Sequence, residues 1–254
     1  MGDLLGAASD ERTHANTDAR RPAPPSRLPS VSRTLSALVL SGAGRYADPW
    51  HPFAETTECI AGILRESGFA VTVAPDVDDA LTRFDDGPDL VVVNVGLPRD
   101  GSPSPAAAAR TGFRRLLASG APVLALHASS TSFVDAPEWE QALGGRWERG
   151  TSFHPEHGEA RVRLRGHPLT AGISDFVLQD ERYTSLRTAA DDEVVAAHEH
   201  DGVEHPLIWL REATAAHGRT AYDALGHDAR SFASPEHREI LRRLIAWTTQ
   251  REET

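Results

Sequence analysis

The sequence contains no lysine, and all 26 of its basic residues are arginines. This absence excludes an enzyme that forms a Schiff base through lysine, and it excludes the lysine of a phosphate-binding P-loop. The chain also has a single cysteine, Cys59, so it cannot form an internal disulfide. Because Cys59 lies inside a predicted helix beside the apolar Ile60, we interpret it as a core residue. A single cysteine is typical of a protein from a reducing compartment.

The chain also lacks a net positive charge and long apolar runs. The net charge is −11 at pH 7, which argues against nucleic acid or an anionic membrane as the main partner. No stretch approaches the roughly 20 consecutive apolar residues that a membrane-spanning helix needs. We therefore expect a cytoplasmic protein without nucleic-acid or membrane partners. Assembly into a homo-oligomer is left open.

The first 34 residues differ in composition from the rest of the chain. The stretch "RRPAPPSRLPSVSR" (residues 20–33) is rich in proline, serine and arginine and has no apolar periodicity. It offers too little apolar surface to offset the entropy lost on ordering. We predict a disordered tail over residues 1–34 and one folded domain over residues 35–250.

Strand and helix patterns alternate from residue 35 onwards. Short apolar runs predict buried strands over residues 35–42, 69–74, 89–96 and 123–126, with helical patterns between them. This alternation favours the α/β class, with a doubly wound, mostly parallel sheet and helices on both faces. The second half is richer in strands, which we predict over residues 159–165, 193–200, 205–212 and 218–226, before a helix over 234–250.

Histidines stand where several predicted strands end. His51 follows the first strand, His127 directly follows the fourth, and His227 follows the strand over residues 218–226. The carboxyl ends of parallel strands share one edge of a sheet, so His51 and His127 should be neighbours there. His227 joins them if its strand is parallel. Since histidine transfers protons near neutral pH and binds metals, we predict these three as catalytic residues and as candidate ligands of a divalent metal.

The segment "QDERY" (residues 179–183) adds two adjacent acids, Asp180 and Glu181, as candidate catalytic residues. If the segment is extended, these acids point to opposite faces, so at most one of them faces a shared site. The glycines of the loop over residues 41–50 lack the spacing of a dinucleotide fingerprint, so we expect no nucleotide cofactor. Five other histidines lie in polar surroundings, and we interpret them as surface residues: His198, His200, His205, His217 and His237.

Five stretches together carry a family resemblance. They are "WHPFAETT" (50–57), "LALHASS" (124–130), "LGGRWERGTSFHPEHG" (143–158), "GHPLTAGISDFVLQDERY" (166–183) and "GRTAYDALGHDARSF" (218–232). In this order they resemble the ThuA-like (trehalose utilisation) domain family over nearly all of residues 35–250. The resemblance implies the three-layer sandwich of class I glutamine amidotransferases, which is similar to the flavodoxin fold. It also implies a role in carbohydrate metabolism, on a disaccharide or glycoside or its keto form.

The resemblance places His127 where glutamine amidotransferases carry a nucleophilic cysteine. Cys59 is far away in the sequence, and "ALHASS" is not a G-x-S-x-G elbow, so glutaminase, protease and esterase activities are excluded. Two functions stay open: an enzyme that acts on a sugar or keto-sugar by histidine-based acid/base or metal-assisted chemistry, and a non-catalytic sugar-binding or regulatory protein. The candidate substrate-binding residues are Trp50, His154, His157, Tyr183 and Asp228, whose aromatic members suit the faces of a sugar ring.

Overall fold

The strands of this chain build one large sheet and a short second one. The computed structural model describes residues 33–84 and 87–250, so the predicted tail over residues 1–34 lies almost wholly outside the described residues. In the described part the strands are β1 (Leu35–Ser41), β2 (Phe69–Ala74), β3 (Leu90–Asn94), β4 (Val123–Leu126), β5 (Gly145–Arg146), β6 (Gly158–Leu164), β7 (Phe176–Asp180), β8 (Arg187–Thr188), β9 (Glu193–His200), β10 (Val203–Arg211) and β11 (Thr220–Asp223). The α-helices are α1 (Phe53–Glu66), α2 (Val77–Thr82), α3 (Arg110–Ala118), α4 (Pro137–Leu143) and α5 (Pro235–Thr248).

The large sheet has the strand order β2-β1-β3-β4-β11-β10-β9-β6-β7. Its first five strands are parallel to one another, and every pairing from β11–β10 onwards is antiparallel. Strands β3, β4 and β11 are buried along their whole length, as expected of central parallel strands covered by helices on both faces. This confirms the predicted α/β class and the doubly wound, mostly parallel centre.

The parallel half has the 2-1-3-4-5 order of doubly wound folds, and its winding reverses between β1 and β3. At such a switch point the loops after the two strands diverge and leave a crevice beyond their carboxyl ends. The loops after β1, β3, β4 and β11 all leave the sheet at this edge. The fold therefore gathers segments that are distant in sequence around one crevice.

Local signals define the ends of the two longest helices. Helix α1 begins after Pro52 and ends at Glu66. The chain then turns at Gly68, whose φ of 86° suits glycine. Helix α5 begins after Ser234, whose side chain accepts a hydrogen bond from the backbone N–H of His237. The short helix α4 was not predicted, although Pro137 at its first position and Gly144 at its left-handed C-cap are typical helix boundaries.

Three histidines that we predicted at the surface are buried, so that prediction is wrong for His198, His217 and His237. His217 contacts the carbonyl oxygen of the adjacent Gly218 at 2.8 Å, and the other two have partners distant in sequence. The Nε2 atom of His237 lies 2.8 Å from Asp223 Oδ2, and the Nε2 atom of His198 lies 3.0 Å from the Tyr183 carbonyl oxygen. A buried imidazole is tolerated when such partners satisfy it.

Cys59 is half-buried and packs against the core, in partial agreement with its interpretation as a core residue. Burial raises the pKa of its thiol, and the nearby Glu55 carboxylate adds to that effect. A raised pKa disfavours the nucleophilic thiolate. In the described part of the chain, no helix combines the length and apolar character needed to cross a membrane.

Candidate active site

His127 follows β4 at the centre of the sheet and has a backbone φ of 40°, in the left-handed region. This conformation costs a non-glycine residue about 1 kcal/mol or more, so the surrounding contacts must hold it. The Tyr222 hydroxyl donates to the His127 carbonyl oxygen at 2.8 Å, and His127 Nδ1 lies 2.6 Å from the Ala224 carbonyl oxygen. Because a carbonyl oxygen only accepts, Nδ1 carries the proton. The lone pair of the neutral ring is therefore on Nε2.

His51 is oriented by Asp48, three residues earlier in the loop after β1. His51 Nδ1 lies 2.9 and 2.8 Å from the two carboxylate oxygens, and the backbone N–H groups of Trp50 and His51 donate to the same carboxylate. These contacts lower the pKa of Asp48 in spite of its burial. Burial lowers the pKa of His51, because it outweighs the opposing effect of Asp48. The lone pair of His51 is thus on Nε2 as well.

Asp180 holds together the two segments that supply Glu181 and His227. Its side chain is fully buried and accepts hydrogen bonds from the backbone N–H groups of Gly226 at 2.8 Å, His227 at 3.1 Å and Glu181 at 2.8 Å. Gly226 has a φ of 111°, which only glycine adopts without strain. Asp180 therefore acts on the site through Glu181 and His227 rather than by facing it.

Four side chains converge at the carboxyl edge of the sheet: His51, His127, Glu181 and His227. Each offers one potential ligand atom, and these atoms all lie within 4.8 Å of one another. Glu181 Oε2 is 3.4 Å from His127 Nε2 and 3.3 Å from His227 Nδ1. We call these four residues the histidine cluster.

Three ring nitrogens of the histidine cluster are buried and have no hydrogen-bond partner among the described residues. They are His51 Nε2, His127 Nε2 and His227 Nδ1. Buried polar atoms are nearly always satisfied, so three unsatisfied nitrogens around one point need an explanation. Three imidazole nitrogens and one carboxylate oxygen are a donor set that suits a divalent cation such as Zn²⁺. The residues present therefore fit a metal ion.

The electrostatics of the histidine cluster keep Glu181 ionised. Burial alone would raise the pKa of Glu181, but His127 and His227 together lower it far below its ordinary value. Burial opposes protonation of His227, but Glu181 and the carboxylates nearby raise its pKa above the ordinary value. The cluster thus presents a permanent anionic ligand beside its imidazoles.

A cavity of about 870 Å³ opens onto the histidine cluster, within the range of roughly 300–1,000 Å³ that small-molecule sites occupy. Aromatic rings form part of its wall. Tyr183 stacks on His127 with ring centroids 4.3 Å apart, and Trp147 meets Tyr183 edge-on at 4.8 Å. The lining residues are Asp48, Trp50, His51, Leu97, Pro98, Arg99, Gly101, Thr131, Trp147, Arg149, His154, Glu181, Tyr183 and His227.

The predicted substrate-binding residues divide between this cavity and a neighbouring one. Trp50, His154 and Tyr183 line the large cavity. Asp228 lines a second cavity of about 480 Å³, and His157 Nε2 lies 3.6 Å from its Oδ2. The guanidinium of Arg230 also pairs with Asp228, which leaves that carboxylate already engaged.

Four charged or aromatic residues of the site were not predicted from the sequence: Asp48, Arg99, Trp147 and Arg149. The position of Asp48 three residues before His51 in a proline-containing turn is a usable signal, because aspartate often accepts backbone N–H groups in such turns. The two arginines and Trp147 lie in loops that only the tertiary fold brings to the cavity.

Comparisons with known proteins agree with this architecture. The family profile described as ThuA, trehalose utilisation, matches residues 36–248. A ThuA-like protein from Parabacteroides merdae superimposes with a TM-score of 0.70 at 18% identity, over 87% of this chain and 92% of that one. A second, from Bacteroides uniformis, gives 0.65 at 17% identity, over 90% and 95%.

The same architecture extends to glutamine amidotransferases. One from Thermotoga maritima superimposes with a TM-score of 0.53 at 12% identity, over 86% of this chain and 99% of that one. At these identities the similarity establishes the fold alone. No curated protein sequence matches this chain.

Proposed function

The chain belongs to the ThuA (trehalose utilisation) family, and we propose that it is a metal-assisted enzyme of carbohydrate metabolism. Its substrate in this proposal is a disaccharide or glycoside, or the keto form of one. The observation that carries the proposal is the histidine cluster itself: three buried ring nitrogens that have no hydrogen-bond partner among the described residues converge with a Glu181 oxygen. In this proposal, which follows the family description for the substrate class, the partner is a small carbohydrate.

The tautomers of the histidine cluster support this proposal. Ala224 and Asp48 hold the Nδ1 protons of His127 and His51, so both rings present Nε2 to the same point. Such outer partners commonly orient metal-binding histidines. A divalent cation bound there would polarise a sugar carbonyl or hydroxyl.

Proton transfer falls to a group outside the histidine cluster, because a nitrogen that ligates a cation cannot also accept a proton. His154 lines the cavity, and its Nδ1–H donates to the Pro155 carbonyl oxygen at 3.0 Å. Its Nε2 therefore carries the lone pair of the neutral ring. Its side chain is 39% exposed, which lets it exchange protons with solvent. We assign His154 as the general base, in place of the proton-transfer role predicted for His127.

Aromatic groups would bind the apolar face of the sugar. Trp147 and Tyr183 meet edge-on at the cavity wall, and Trp50 is 59% exposed at its rim. Burial raises the pKa of Tyr183 well above its ordinary value, so its hydroxyl stays protonated and can donate to a sugar oxygen. The wall thus offers both stacking and a hydrogen-bond donor.

Elemental analysis of protein purified without added metal tests this proposal. We expect about one divalent ion per chain, and we expect it to be lost in His51→Ala and His227→Ala. The control is His200→Ala, which removes a half-buried histidine outside the cluster. Metal-free wild type, or variants that keep the metal, would contradict the proposal. Binding of sugars and keto-sugars without turnover would instead indicate the non-catalytic sugar-binding protein.

A further inference from the structure

Two guanidinium groups line the large cavity and have no carboxylate partner in the described part of the chain. Arg99 lies in the loop after β3, and Arg149 lies in the loop after β5. The guanidinium of Arg99 stacks over the Trp50 ring at 4.6 Å. Among residues 33–84 and 87–250, no aspartate or glutamate forms an ion pair with either arginine.

Among the described residues, many arginines elsewhere in the fold form ion pairs with acids, whereas the exposed Arg115 and Arg161 do not. Arg45 pairs with Asp78 and Asp100, and Arg187 pairs with Glu140 and Glu148. The chain has 37 acidic residues against 26 arginines, so carboxylates are plentiful. Arg99 and Arg149, which form no ion pair with the acids that the structure describes, thus place two positive charges at one cavity of an acidic protein.

The carboxylates of the cavity do not neutralise this patch. Among the described residues, Asp48 and Glu181 are the only acids that line the cavity, and each already contacts other groups. Asp48 accepts hydrogen bonds from His51 and its neighbour, and Glu181 lies within the histidine cluster. The hydrogen-bond donors of Arg99 and Arg149 therefore stay available to a ligand.

We infer that the substrate of the proposed enzyme carries an anionic group, a carboxylate or a phosphate, which Arg99 and Arg149 bind while the sugar ring lies along Trp147 and Tyr183. This inference rests on the proposed function and narrows its substrate class to sugar acids or sugar phosphates. The planar fork of a guanidinium matches both anions and binds them through paired hydrogen bonds. The Trp50 ring restrains Arg99 by a cation–π contact, which lowers the entropic cost of binding.

Calorimetric titration of the metal-loaded protein with matched sugars tests the inference. Trehalose is compared with its phosphate and with its uronic acid, so that the two anions are separated on one scaffold. We expect at least one anionic sugar to bind about tenfold or more tightly than trehalose, as charge-assisted hydrogen bonds predict. This preference should shrink as ionic strength rises, because salt screens exposed charges.

Arg99→Gln and Arg149→Gln should each weaken binding of the preferred anionic sugar about tenfold, and should weaken trehalose binding much less. The control is Arg115→Gln, which makes the same charge change at an exposed position of α3 outside the cavity. Trehalose binding equal to that of both anions, with no effect of either variant, would overturn the inference and leave the proposed function standing. Failure of all three sugars to bind the metal-loaded protein would overturn both.

Discussion

Asp180→Asn is the substitution that separates positioning from catalysis. The carboxylate accepts three backbone hydrogen bonds, two at Oδ1 from Glu181 and His227 and one at Oδ2 from Gly226. Asparagine keeps one side-chain oxygen, which can still accept from Glu181 and His227, but its NH₂ group then faces the backbone N–H of Gly226. One charge-assisted hydrogen bond is lost and two donors face each other in a fully buried place.

The expected cost follows from those contacts. A hydrogen bond to a charged group contributes about 1.5–3 kcal/mol, so we expect a loss of about 2–3 kcal/mol in the free energy of unfolding. In a domain of this size that loss lowers the melting temperature by roughly 5–10 °C. Because Glu181 and His227 shift with their backbone, metal affinity should fall about 10–100-fold.

Urea unfolding and metal titration, the latter at a temperature where the variant is folded, measure the two effects. Asp175→Asn is the control, since its Oδ1 also accepts a backbone N–H, from Leu164, but at an exposed site. We expect the control to keep its metal affinity. An Asp180→Asn protein that binds metal as tightly as wild type would refute the positioning role.

Further predictions concern the cluster, the general base, the cysteine and pH. His127→Gln should lower both metal content and turnover of a keto form of trehalose, the latter by about a hundredfold or more. His154→Gln should lower the same turnover by about a hundredfold yet keep the metal, and turnover equal to wild type would remove His154 as the base. Cys59→Ala should cost roughly 1 kcal/mol in thermal unfolding and leave turnover intact, and loss of turnover in a folded variant would contradict that. Burial opposes protonation of His237, but Asp223 raises its pKa above 6.5. Its stabilising effect should therefore be full below that ordinary pKa and disappear as pH rises through the raised value. Urea unfolding across this pH range should show that the free energy of unfolding changes less with pH in His237→Gln than in wild type. An equal pH dependence in the two proteins would contradict this prediction.

The parallel half of the fold and the core of the site could be predicted from the sequence, because both depend on local pattern. The apolar run that ends at His127 identified β4, and the predicted strand over residues 218–226 identified β11 with His227 after it. The parallel pairing of β4 with β11 then brings the two histidines together at the same edge. The adjacent pair of acids predicted a carboxylate in the site. The structure places Glu181 in the histidine cluster, and Asp180 outside it, where its side chain accepts the backbone N–H of His227.

Burial of polar side chains could not be predicted, since it depends on partners that are distant in sequence. His237 and Asp223 are separated by 14 positions, and neither resembles a core residue alone. The same limit applies to Arg99 and Arg149, which come from loops after different strands. Only the folded structure shows that both arginines line one cavity and that no acid within residues 33–84 and 87–250 pairs with them.

The most direct test of the account is a crystal structure of the protein purified without added metal, with anomalous scattering recorded at the absorption edge of the metal found. We predict one strong anomalous peak about 2.0–2.2 Å from His51 Nε2, His127 Nε2, His227 Nδ1 and a Glu181 oxygen. A map without a peak there, or with its only peak beside His157 and Asp228, would contradict it.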